Sequence, residues 1–163
     1  MKKFIFSILI VITATAATAQ TDTTLLYKRF PIVPSFKLIN IADSTIFTKN
    51  NLKKKKPTII MMFSPDCEHC QAETKDILAN INLFKKAQIL MVSPIDFKYM
   101  KEFYTEYKIA NYPNITIARD PTYFLGTFYK IRSFPSIFVY DKKGNLKNSF
   151  IGSTFVEDIA ASL

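Results

Sequence analysis

One stretch of the chain, residues 58–70, decides the fold, and it reads TIIMMFSPDCEHC. Residues 58–63 follow Pro57 as an apolar run without polar alternation, which predicts a central strand covered on both faces. After Cys67 the apolar residues recur at helical spacing instead, at Ile77, Leu78 and Ile81. A junction between a strand and a helix is therefore predicted at residues 64–70.

Working outward, strand and helix patterns alternate along the rest of the chain. Further strands are predicted at residues 36–41, 45–48, 88–92, 115–118, 136–140 and 146–151. Further helices are predicted after an Asp96 cap, after an Asp120 cap with Pro121 at the first helical position, and over residues 154–163. This order predicts an α/β fold with a mixed central sheet and helices on both of its faces. The sheet is expected to be parallel in its middle and antiparallel at one edge. An extra N-terminal strand pair is expected as well.

The N-terminus has the pattern of a secretory signal peptide. Lys2 and Lys3 precede a short apolar stretch, and a tract of small residues ends at Ala19. The stretch is about half the ~20 apolar residues that a spanning helix needs. We therefore expect residues 1–19 to be a cleaved signal peptide, residues 20–35 a lead-in segment and residues 36–163 one domain. The mature protein is expected to be soluble, extracytoplasmic and without stable membrane insertion.

The charge of the chain is basic but does not indicate nucleic-acid binding. The formal net charge is +9, and it becomes +7 when Lys2 and Lys3 are removed (9 minus 2). Only three of the 22 basic residues are arginines, and export would separate the protein from most nucleic acid. The lysine run at residues 53–56 is interpreted as a solvated turn that leads into the buried strand. We expect no nucleic-acid partner.

Cys67 and Cys70 are the two cysteines of the chain, and they lie at the start of the predicted helix. In an oxidising compartment they will tend to pair with each other. A bridge this short constrains the unfolded chain by only about 2 kcal/mol, so it is a poor structural crosslink and a good reversible dithiol. The helix N-terminus favours a thiolate at Cys67. Cys67 is therefore the expected nucleophile and Cys70 the resolving thiol.

Three neighbouring side chains are expected to modulate the pKa of Cys67. His69 is the single histidine of the chain, and as a cation or hydrogen-bond donor it would stabilise the thiolate. Asp66 and Glu68 carry like charge beside a thiolate and would oppose this effect. The net direction of the three contributions stays open.

The residues SPDCEHC at 64–70 and RSFPSIFVYDKKG at 132–144 resemble the TlpA-like branch of thioredoxin-fold proteins, which occur in bacterial cell envelopes. The resemblance implies a thioredoxin-like fold and a periplasmic thiol-disulfide oxidoreductase. Its partners would be protein thiols or disulfides as substrates and an upstream redox protein, without a cofactor. By the same resemblance Pro135 would follow a cis peptide bond and face the disulfide, and Phe134 would pair with the substrate backbone.

The sequence departs from this family pattern at two positions. Asp66 stands where a tryptophan usually precedes the first cysteine, and the chain has no tryptophan. Met61 replaces the buried acid that thioredoxins place six residues before that cysteine. Proton transfer to Cys70 would then use another group, such as Glu68 or water.

Three alternatives share the fold. A peroxiredoxin would have proline and threonine seven and three residues before its reactive cysteine, where this chain has Ile60 and Ser64. A thioredoxin-fold metal carrier would need a ligand beyond the two thiols, and His69 has no second histidine to join it, so no metal site is expected. A redox-inert binding module is the third alternative.

Overall fold

Seven strands and five α-helices alternate along residues 25–163, the part of the chain that the computed structural model describes. The strands are β1 (Lys37–Asn40), β2 (Ile46–Thr48), β3 (Thr58–Met62), β4 (Gln88–Ser93), β5 (Ile115–Arg119), β6 (Ser136–Tyr140) and β7 (Leu146–Ile151). The helices are α1 (Leu26–Arg29), α2 (Glu68–Ala79), α3 (Phe97–Glu106), α4 (Phe124–Tyr129) and α5 (Val156–Ala161). The predicted signal peptide, residues 1–19, lies outside the described residues.

The strands form one mixed sheet in the order β2-β1-β5-β4-β3-β6-β7. Strands β3, β4 and β5 are parallel, and every other neighbouring pair is antiparallel. The expectation of antiparallel strands at one edge was wrong, because they lie at both edges. The N-terminal pair joins the sheet where Asn40 of β1 lies opposite Ala118 of β5, and it covers an edge that β5 would otherwise leave unpaired.

The central strand β3 is buried on both faces, as its apolar run predicted. All five of its residues are buried. Ile59 and Met61 face one core, which α2, α3 and α5 cover. Ile60 and Met62 face the second core, which α1 and α4 cover. The helices on both faces of the sheet follow from this two-sided burial.

Of the two helix caps predicted from the sequence, one is present as predicted and the other is not. Asp96 caps α3 and accepts a hydrogen bond from the backbone N–H of Lys98 at 2.9 Å, as predicted. The prediction of Asp120 and Pro121 at the start of the next helix was wrong, because α4 begins at Phe124. Asp120 is instead fully buried, and its carboxylate reaches forward to accept the N–H of Leu125 at 2.7 Å. The carboxylate thus caps the helix from outside it.

The lead-in segment packs on the domain over its described part, residues 25–35. Tyr27 of α1 is buried, with its ring centroid 5.1 Å from that of Phe138. Ile32 pairs with Asn145 next to the β6–β7 turn. Over the described residues, no helix combines the length and the apolar character needed to cross a membrane.

Candidate active site

The predicted junction between β3 and α2 places Cys67 at the N-terminus of a helix. Pro65 has no N–H to continue the strand ladder, and the N–H of Cys67 donates to the carbonyl of Ser64 at 3.2 Å. Cys67 is the N-cap residue of α2, and its carbonyl accepts the N–H of Gln71 at 3.0 Å. The helix N-terminus and its unpaired N–H groups therefore lie beside this thiol.

The two thiols differ in their access to solvent. Both cysteines are free; Cys67 is half-buried and Cys70 is 0% exposed. The pKa of Cys70 is raised to about 12, chiefly by burial. A hydrogen bond from the backbone of Ser64 lowers this pKa, and the thiol of Cys67 and the charge of Asp66 raise it. Cys67 is therefore the thiol that a macromolecular substrate can reach, and Cys70 is held protonated behind it.

The residues that the resemblance singled out, Phe134 and Pro135, lie directly before β6. Strand β6 runs antiparallel to β3, and Ser136 lies opposite Met62, so the start of β6 meets the end of β3. The peptide bond between Phe134 and Pro135 is cis, and Pro135 is buried. The Sγ atom of Cys67 donates to the carbonyl oxygen of Phe134 at 3.8 Å. Sequence positions 67 residues apart are thus brought into contact at one site.

The three side chains expected to modulate the pKa of Cys67 are all exposed. Glu68 and His69 lie in the first turn of α2. Asp66 accepts a hydrogen bond from the hydroxyl of Ser64, and its charge contributes to the raised pKa of Cys70. Asp66 therefore raises the pKa of the buried thiol, whereas the effects of Asp66, Glu68 and His69 on Cys67 remain predictions.

The sequence analysis missed a buried acid at Glu73. This residue is 3% exposed and lies on α2 three residues after Cys70, a spacing that puts the two side chains on the same flank of the helix. Its Oε2 accepts the N–H of Thr154 at 3.1 Å, and its Oε1 has no hydrogen-bond partner among the described residues. Burial raises the pKa of Glu73, the hydrogen bond from Thr154 lowers it, and the charge of Asp76 raises it.

A signal for this acid was present in the sequence. The buried positions of α2 are Cys70, Glu73, Thr74 and Ile77, which follow the helical repeat of i, i+3, i+4 and i+7. Glu73 falls on the apolar face of that repeat. The family pattern points only to position 61, which Met61 occupies, and Glu68 faces solvent.

The two positions that would distinguish a peroxiredoxin have other environments here. Ile60 points into the core on the α1 and α4 face of the sheet, and Cys70 belongs to the opposite core. Ser64 directs its hydroxyl to Asp66. Within residues 25–163, no group of three or more His, Cys, Asp or Glu side chains is arranged to hold a metal ion.

A curated protein is similar to part of this chain. The chain is 25% identical over 84 residues to a probable protein disulfide-isomerase A6 from Medicago sativa, a match that covers 49% of this chain and 23% of that protein. This chain thus spans about a quarter of the length of that curated relative.

Two solved structures share the fold. A secreted Mycobacterium tuberculosis disulfide oxidoreductase, described as homologous to E. coli DsbE, superposes with a TM-score of 0.65 and 18% identity, covering 78% of this chain and 96% of that one. The peroxidoxin BcpB from Mycobacterium tuberculosis superposes with a TM-score of 0.69 and 12% identity, covering 80% and 92%. The expected thioredoxin-like fold is thereby confirmed. Because the AhpC/TSA family matches residues 32–149, well over half of the chain, this protein belongs to the AhpC/TSA family of thioredoxin-fold proteins.

Proposed function

We propose that this protein is an exported thiol-disulfide oxidoreductase that exchanges disulfides with protein substrates through Cys67-Glu68-His69-Cys70. The observation that carries the proposal is an accessible thiol and a buried thiol three residues apart at the start of one helix. Cys67 lies at the N-terminus of α2 beside the Phe134 carbonyl, and Cys70 lies one turn further in with a pKa raised to about 12. The disulfide oxidoreductase and disulfide isomerase among the similar proteins support the same chemistry.

The first step joins the protein to its substrate. The Cys67 thiolate attacks one sulfur of a substrate disulfide, the substrate S–S bond breaks, and the second substrate sulfur leaves as a thiolate that takes up a proton. The positive end of the α2 dipole favours negative charge at the position of Cys67. Phe134 and Pro135 would bind the substrate backbone next to the mixed disulfide.

The second step releases the substrate. Cys70 loses its proton and attacks the Cys67 sulfur, the mixed disulfide breaks, and the substrate leaves reduced while Cys67 and Cys70 become a disulfide. With a pKa of about 12, Cys70 would be ionised in roughly one molecule in 10⁵ at neutral pH, so its proton must be accepted as it reacts. Glu73 is the group proposed for this transfer, directly or through water, because it is buried one turn beyond Cys70 with a free oxygen. The reverse sequence oxidises a substrate dithiol, and an upstream redox partner resets the centre.

Trapping mixed disulfides tests this proposal. The Cys70→Ser variant should accumulate covalent complexes with substrate proteins through Cys67, because no thiol remains to release them. The Cys67→Ser variant should trap few, since its remaining thiol is buried. Non-reducing gels of envelope extracts, with the wild-type protein as the matched control, provide the measurement. Equal trapping by the two variants would contradict the assignment of the nucleophile.

A peroxidase is the second candidate, and it is favoured by the family match and by the shared fold with the peroxidoxin BcpB. The environments of Ile60 and Ser64 argue against it, because neither side chain is directed at Cys67. Peroxide consumption by the reduced protein separates the two activities. Loss of peroxide at a rate that depends on Cys67 would favour the peroxidase.

Export is part of the proposal and rests on residues 1–19, which lie outside the described residues. The mature chain would begin at or near Gln20. Intact mass and cell fractionation measure both the cleavage site and the location. A membrane-bound product that retains Met1 would contradict export in soluble form.

A further inference from the structure

A groove with an apolar floor and a carboxylate rim lies beside Cys67, between the junction before α2 and one side of α3. Its volume is about 340 Å³, and its lining residues are Pro65, Asp66, Ile95, Tyr99, Glu102, Phe103 and Glu106. The four residues that α3 contributes follow the helical repeat of i, i+3, i+4 and i+7, so they form one continuous stripe. Asp66 forms part of the groove wall and directly precedes Cys67. The Cα atoms of these two residues are therefore about 3.8 Å apart.

The side chains of the stripe divide into a floor and a rim. Phe103 is 3% exposed and packs against Phe63 in the core, whereas Tyr99 is 55% exposed and presents its ring to solvent. Glu102 and Glu106 are exposed, and neither forms an ion pair within the described chain. The stripe spans eight residues of helix, from Tyr99 to Glu106, and the seven rises between them measure about 10 Å. This is the length of about three residues of extended polypeptide.

The charge of the groove is opposite to that of the whole chain. The formal net charge of the protein is +9, yet three carboxylates line this one groove. The two lysines of α3 do not line it: Lys101 donates to the carbonyls of Ile41 and Ala42, and Lys98 lies over the ring of Tyr99 at 5.8 Å. An occupant with an apolar side chain and a cationic side chain would complement both the floor and the rim.

We propose that this groove binds the stretch of a substrate protein that flanks its reacting cysteine, and that it selects an apolar residue next to lysine or arginine. The inference rests on the proposed function, because the groove can select a substrate only if Cys67 beside it is the reacting nucleophile. Charge on the rim would act mainly on the rate of encounter and on the choice among substrates. The two thiols do not by themselves distinguish one substrate from another, and the groove would supply that preference.

The test measures how fast Cys67 reacts with peptides that differ in one charge. The protein is the mature Cys70→Ser chain, and each peptide carries one cysteine activated as a mixed disulfide with thionitrobenzoate. The Cys67 thiolate attacks the peptide sulfur, the disulfide breaks, and the coloured thionitrobenzoate anion leaves. Three peptides carry Leu-Lys, Leu-Glu or Leu-Gln beside the cysteine, and dipyridyl disulfide serves as a small uncharged reference.

We expect the Leu-Lys peptide to react about fivefold faster than the Leu-Glu peptide at about 0.1 M salt. The ratio should approach unity at about 1 M salt, where the screening length falls to ~3 Å. It should also approach unity in a Glu102→Gln, Glu106→Gln double variant. A matched control, Glu157→Gln with Asp158→Asn, removes two exposed carboxylates from α5 and should keep the ratio. A fourth peptide, with Ala-Lys beside the cysteine, should react more slowly than the Leu-Lys peptide, and Tyr99→Ala should reduce that difference.

Each contrary outcome identifies what has failed. Equal rates for the Leu-Lys and Leu-Glu peptides, with dipyridyl disulfide still reactive, would overturn the groove proposal and leave the proposed function in place. A lysine preference that survives the double substitution would place the recognition elsewhere and also overturn it. If Cys67 reacted with no peptide and not with dipyridyl disulfide, the proposed function itself would be overturned, and the groove proposal with it.

Discussion

Removing one cysteine at a time should reveal a large difference in reactivity between the two thiols. At about pH 8 an ordinary cysteine with a pKa of ~8.5 is roughly one-quarter ionised. Cys70, with a pKa raised to about 12, would be ionised to about one part in 10⁴ at that pH. The thiolate population of Cys70 is therefore about 10³-fold below that of an ordinary cysteine. Replacing Cys67 lifts part of this suppression, but burial, its largest cause, remains.

Alkylation by iodoacetamide, followed by intact mass, measures this difference. The Cys67→Ser variant should react about 10³-fold more slowly when native than when unfolded in guanidinium, because Cys70 is also 0% exposed. The Cys70→Ser variant should keep most of its unfolded reactivity in the native state, because Cys67 is half-buried and lies at the surface end of α2. The unfolded samples serve as the control and should react alike. Native variants that react within tenfold of each other would refute the division between a nucleophile and a buried resolving thiol.

Three further changes test other parts of the account. His69→Ala should slow alkylation of Cys67 near neutral pH if the histidine stabilises the thiolate, and an unchanged rate in stopped-flow measurements would leave His69 without that role. Glu73→Gln should slow release of mixed disulfides. Because burial raises the pKa of Glu73 in the folded state, the wild type loses stability as the pH rises from the unfolded value of ~4.3 through that raised pKa. Urea unfolding should therefore show the variant gaining stability over the wild type at neutral pH and little at acid pH. Tyr129→Phe should lower the free energy of unfolding by about 1 to 3 kcal/mol in urea, because the buried Tyr140 hydroxyl, 2.8 Å from that of Tyr129, loses this partner. The double variant with Tyr140→Phe should lose less stability than the sum of the two single changes.

Local patterns in the sequence were sufficient for most of the elements. The apolar run of β3 and the helical repeat that follows Cys67 determine the strand, the helix and the junction between them. Asp96 could be recognised as a cap because its carboxylate bonds to the N–H two residues on. Asp120 could not, because it caps α4 from four residues before its start, a contact that depends on the buried turn between them.

Long-range pairings were beyond these local patterns. The pairing of β1 with β5 joins residues about 80 positions apart, and no periodicity in either strand specifies it. The contact between Cys67 and Phe134 likewise depends on the register of β3 against β6. Only the family resemblance led to Phe134 and Pro135. Glu73 was missed because a charged residue is ordinarily assigned to the solvent face of a helix, even where the helical repeat puts it inside.

The central claim is that Cys67 and Cys70 form a reversible redox couple within a folded domain, and an equilibrium titration against glutathione tests it most directly. Mass and acid-quenched alkylation would report the oxidised fraction, with circular dichroism on the same samples. We expect one two-electron transition with a reduction potential between about −270 and −120 mV, the range of thiol-exchanging proteins of this fold. The domain should stay folded in both redox states. Cysteines that stay reduced across that range, or that pair only when the domain unfolds, would contradict it.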